Sequence, residues 1–140
     1  MKLFKPEHDS QKMISIVNTI DTKKSWFGCT SVWSSLEVAR ALRKDGKPKE
    51  LIELDLKELR RHKISFINIT QGILRRCEQI VAESNIYASD ALHAATFQSV
   101  SRRRSLDGML SDDRHYGRLK GTVKILTLNE IDLDTDASHT

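Results

Sequence analysis

The chain has 140 residues, 39% hydrophobic and 30% charged, a composition that excludes disordered and fibrous classes and leaves room for one buried core. Its formal charge of +4, from 23 basic and 19 acidic residues, permits a polyanionic partner without requiring one. No apolar run approaches the roughly 20 residues of a membrane span, and MKLFKPEHDSQK lacks a secretory core, so no membrane partner is expected and the cytoplasm is the expected address.

In chain order, the first periodic segment is 9–22, where Met13, Ile14, Ile16, Val17 and Ile20 recur near a helical period. WFGCTSV (26–32) predicts a short strand, and SSLEVARALR (34–43) a helix stopped by Asp45, Gly46 and Pro48. LIELDLKELRR (51–61) predicts an amphipathic helix with Leu51, Leu54, Leu56 and Leu59 as apolar positions. ISFINI (64–69) is a β-branched strand. Helices follow over 70–83 and, through YASDALHAATF, to 102. Residues 106–110 read as a short strand, DDRHYGRL as a turn or short helix, 123–128 as a last strand and 132–140 as a loose polar tail.

Strands separated by helices of about ten residues or more predict an α/β fold, a parallel sheet flanked by helices on both faces. No repeat or linker interrupts it, so one domain is expected over 1–131. In such sheets ligands gather at the carboxyl ends of the strands. Cys29 and Cys77 form no CxxC pair and read as core thiols, and the five histidines give no ligand cluster. The basic clusters at Arg60, Arg61, His62, Lys63, at Arg75, Arg76 and at Arg102, Arg103, Arg104 read first as solvated faces.

Three acidic positions stand at strand ends or helix starts. Glu37 completes Ser34-x-x-Glu37, either a capping box or an acid facing the crevice. Asp90 is either a helix N-cap or, if the helix starts earlier, a carboxylate on the face of Tyr87, Ala91 and Ala94. Asp112 and Asp113 follow an apolar strand as turn residues or as ligands. Asp9 and Asp21 start and end the first helix and fit a strand-end site poorly. Together, Glu37, Asp90 and Asp113 would repel unless protonated or bridged by a cation. An all-oxygen set suits Mg²⁺ or Mn²⁺, and with those ions phosphoryl chemistry.

These motifs in this order resemble the PIN domain, above all the VapC-type toxin ribonucleases of prokaryotic toxin–antitoxin pairs. KLFKPEHDSQKM resembles the first-helix region, TSVWSSLEVARAL the segment bearing the family's Glu (here Glu37), SDALHAATF the helix bearing its Asp (Asp90), and GMLSDDRHY the element that places the last acid at Asp113 and a hydroxyl partner at Ser111. The family's opening strand, ending in Asp, has no counterpart after Met1, and an N-terminally shortened member is expected. The resemblance implies a three-layer α/β/α fold and a metal-dependent endoribonuclease acting on single-stranded RNA, dimeric and inhibited by a cognate antitoxin. Glu37, Asp90 and Asp113 would hold Mg²⁺ or Mn²⁺, with Asp112 assisting through water. The alternative is a catalytically impaired PIN-fold module that engages an antitoxin or RNA, or dimerises, without cleavage. A response-regulator-like phosphoacceptor is a third class, but it wants an acidic pair after its first strand and a late lysine.

Overall fold

The computed structural model describes residues 10–111, 121, 123–127 and 130–133. Among them stand five α-helices and two small parallel two-stranded sheets, a mixed α/β chain as the alternation of patterns predicts. The segment DDRHYGRL and nearly all of the tail lie outside the described residues. Two compact units divide the chain, one extending to Phe66 and including Leu133, the other from Ile67 to Asp132.

In the first unit, α1 (Ser10–Thr22) buries Ile16 and Val17, two of the residues that gave it its helical period. Strand β1 (Cys29–Ser31) is shorter than WFGCTSV suggests, and the helix that follows, α2 (Trp33–Lys44), starts earlier than expected. It ends in a tight turn, with the Asp45 N–H donating to the Ala41 carbonyl and the Gly46 N–H to that of Arg43. Gly46 has φ +87°, a left-handed conformation that costs an L side chain but not glycine. Pro48 then precedes α3 (Lys49–Arg61), whose start needs no N–H from it.

Helices α2 and α3 pack around Val38, Leu42 and Leu59, with Ile52, Leu56 and Phe66 against them. The face presented to this core is therefore Ile52, Leu56 and Leu59, at i, i+4 and i+7. Leu51 and Leu54, for which core packing is expected ahead of a dimer or antitoxin surface, lie on the other flank and are 47% and 60% exposed. Strand β2 (Ser65–Ile67) follows, and its first N–H donates to the Gly28 carbonyl at 2.9 Å, tying it to the approach of β1.

The second unit is built on α4 (Gln71–Ser84) and α5 (Ala88–Ser101). The Thr70 hydroxyl caps α4 by accepting the Ile73 N–H at 3.1 Å, and Asn85 ends it in the left-handed region at φ 48°. Ala91, Ala94 and Ala95 of α5 are fully or almost fully buried and join Ile73, Cys77, Ile80, Leu92 and Val123 in one core. Small side chains let the two helix backbones approach closely. The Arg76 Nε donates to Gln98 Oε1 at 2.7 Å, bolting the helices together at their polar edge.

Strands β3 (Met109–Leu110) and β4 (Ile125–Leu126) pair in parallel, Met109 opposite Ile125 and Leu110 opposite Leu126. The Met109 N–H donates to the Lys124 carbonyl at 2.8 Å and the Ser111 N–H to that of Leu126 at 2.9 Å. Gly108 is required here: a Cβ would fall 2.6 Å from Leu126 Cγ and 3.1 Å from the Lys124 carbonyl oxygen.

Candidate carboxylate site

Glu37 is the fifth residue of α2, a helix whose start is set by the hydroxyls around it. Buried Ser31, the last residue of β1, accepts the Trp33 N–H on its side chain at 3.1 Å, and the Ser35 hydroxyl donates to the Val32 carbonyl at 3.0 Å. The Ser34 hydroxyl is shared with that of Thr30. Val32 is the N-cap residue, so Ser34 lies inside the helix and the capping box, one of the two readings open in the sequence, does not form around it. Glu37 sits on the solvent-exposed part of α2, one turn beyond the strand end.

Asp90 is the third residue of α5, whose N-cap is Tyr87. Of the two readings open in the sequence, the earlier helix start is the one observed, and Asp90 is not the cap. Its half-buried carboxylate lies in the first turn, between fully buried Ala91 and partly covered Ser89. The positive end of the helix dipole favours a carboxylate there by about 0.3–1 kcal/mol.

Ser111 leaves the carboxyl end of β3 with its N–H fixed to Leu126 and is itself half-buried. Asp112 and Asp113 come next in sequence and lie outside the described residues. Among the described residues no three His, Cys, Asp or Glu side chains gather into a metal-holding group. Glu37 belongs to the first unit and Asp90 to the second. In kind, the expected donors are all carboxylate oxygens, which match a hard divalent cation.

One acid took on a role the sequence did not announce. Asp21 Oδ2 lies 2.7 Å from His62 Nδ1, and its Oδ1 accepts the Lys63 N–H at 2.7 Å. Burial by itself would raise its pKa, but the Lys63 N–H and His62 outweigh it and hold the carboxyl below its ordinary value. The partners are 41 and 42 residues away, and no local motif could have paired them.

Neither cysteine is in a disulfide; Cys77 is buried as a core thiol would be, and Cys29 is only partly buried. Cys77 is buried, and that burial, reinforced by the charge of Glu78, raises its thiol pKa, so it stays protonated and unreactive. Arg76, read from sequence as part of a basic cluster, donates to Gln98 and Gln79; Arg102, Arg103 and Arg104 are solvent-exposed, as a solvated face would be.

No family model, no curated protein and no solved structure matches the chain.

Proposed function

We propose that the chain is a PIN-type, VapC-like endoribonuclease that hydrolyses phosphodiester bonds of single-stranded RNA with Mg²⁺ or Mn²⁺, in a three-layer α/β/α fold. The observation that carries this reading is the placement of its acidic motifs within their own units. Glu37 follows β1 on α2, Asp90 occupies the first turn of α5, and Ser111 is anchored at the carboxyl end of β3 immediately before Asp112 and Asp113. Strand ends and helix starts are where α/β proteins collect ligand groups.

Glu37, Asp90 and Asp113 would hold the cation, with Asp112 in a weaker role and the Ser111 hydroxyl in support. When bound, such an ion neutralises charge on the phosphate and makes water a better nucleophile at neutral pH. The carboxylates would supply the negative charge that holds the cation. A cytoplasmic address is part of this proposal; among the described residues no helix is long and apolar enough to cross a membrane.

The test is cleavage of a labelled single-stranded RNA with Mn²⁺, by wild type and by Asp90→Asn. Changing a mere neighbour of a metal ligand costs about 10–100-fold, and a ligand should cost at least that. Equal cleavage by the two proteins would overturn the reading.

A second reading is a PIN-fold module that binds an antitoxin or a second copy of itself without cutting. Leu36, Leu51 and Leu54, 53%, 47% and 60% exposed on α2 and α3, favour it. A homodimer or an antitoxin complex on this face is compatible with both readings; retention of Mn²⁺-dependent cleavage separates them.

A further inference from the structure

The Asp21 contacts join two basic segments that are remote in sequence. Lys23 and Lys24 follow the end of α1, and Arg60, Arg61, His62 and Lys63 close α3. Asp21 ties these ends together through His62 Nδ1 and the Lys63 N–H. Two of the cations are engaged: Arg61 with Glu58 at 3.3 Å, and Lys23 with the Leu133 carbonyl at 3.4 Å. Lys24, Arg60 and Lys63 are exposed and make no ion pair among the described residues. Asp21 feels the Lys63 charge, but its two oxygens are engaged by His62 and the Lys63 N–H.

A helix C-terminus attracts cations, which accounts for Arg60 and Arg61 in the last turn of α3. It does not account for Lys24 and Lys63, which lie beyond the ends of their helices. We infer that Lys24, Arg60 and Lys63 form a patch that binds the phosphate backbone of a single-stranded nucleic acid. The choice of RNA as its polyanion rests on the ribonuclease reading; the patch itself rests on the Asp21 tie and lies wholly in the first unit. Contacts of this kind are made to phosphates and carry no sequence preference.

The experiment uses the full chain and a fluorescent single-stranded RNA oligonucleotide in excess chelator, so that no cleavage occurs, with anisotropy read across a KCl series. Lys24→Gln with Lys63→Gln is expected to weaken binding by about tenfold or more at low salt and to reduce the log–log salt slope by about 1.4, roughly 0.7 per lost phosphate contact. Lys44→Gln with Lys49→Gln removes the same charge from the end of α2 and the start of α3, and is expected to change affinity by less than about twofold. Equal losses in the two pairs, an unchanged affinity in the first pair, or no binding by wild type would overturn the patch. Because the chelator removes the metal, loss of Mn²⁺-dependent cleavage in Asp90→Asn alongside intact patch binding would leave the patch standing, and the converse would leave the nuclease reading standing.

Discussion

At the scale of single residues, Asp21 and Asp90 show how position assigns different work to the same side chain. Asp90 enjoys the positive end of α5, whereas Asp21 lies in the last turn of α1, where the helix dipole is unfavourable to a carboxylate. The Lys63 N–H and His62 offset that, leaving the Asp21 pKa below the ordinary value. Its contribution to stability is therefore complete above the unfolded carboxyl value of about 3.9 and is lost as pH falls through the lower folded one. Asp21→Asn removes the charge in all conditions. It is expected to lower stability by about 1–3 kcal/mol at neutral pH and to lose less than wild type on acidification below pH 4, read by urea unfolding at each pH. Equal wild-type and variant stabilities at neutral pH would show that the tie contributes nothing.

At the scale of elements, caps and close approaches give the sharpest expectations. Thr70→Ala deprives the Ile73 N–H of its acceptor and should cost about 1 kcal/mol in a thermal or urea melt. Gly108→Ala would press a methyl against Leu126 and the Lys124 carbonyl, the acceptor of the first β3–β4 hydrogen bond. A loss of about 1–3 kcal/mol is expected, with amide exchange at Met109 quickened. Helices α1 and α3 were legible from their apolar periods, and α2 from its stop at Asp45, Gly46 and Pro48, whereas the Asn85 stop after α4 went unread. The strands were less so. β-Propensity tells which residues tolerate extension, but a strand is counted only where a partner pairs with it, so seven residues of WFGCTSV yield three. The core phase of α3 was ambiguous for a related reason: leucines at 51, 54, 56 and 59 with Ile52 leave two overlapping stripes, and only packing on α2 selects Ile52, Leu56 and Leu59.

At the scale of the whole molecule, Glu37 after β1 and Asp90 in the first turn of a helix could be read from order alone, whereas Asp112 and Asp113 lie outside the described residues. Long-range pairings such as Asp21 with His62 could not, because nothing local encodes them. Each unit carries its own hydrophobic core, α2–α3 in one and α4–α5 in the other. The exposed leucines bear on assembly. Leu51→Lys with Leu54→Lys is expected to turn a homodimer into a monomer in light scattering without lowering the melting temperature, since neither side chain is part of the α2–α3 core. A dimer that survives the double change would place the interface elsewhere.

The nuclease proposal rests on Mn²⁺ binding that depends on its candidate carboxylates, Glu37 and Asp90 among them. Glu37 lies in the first unit and Asp90 in the second, so each is changed separately. Calorimetric titration of the full chain with Mn²⁺ is the most direct measurement: wild type is expected to bind one ion, and both Glu37→Gln and Asp90→Asn to weaken that binding by about tenfold or more. Identical Mn²⁺ isotherms for wild type and the two variants would contradict the proposed carboxylate ligands and the nuclease proposal with them.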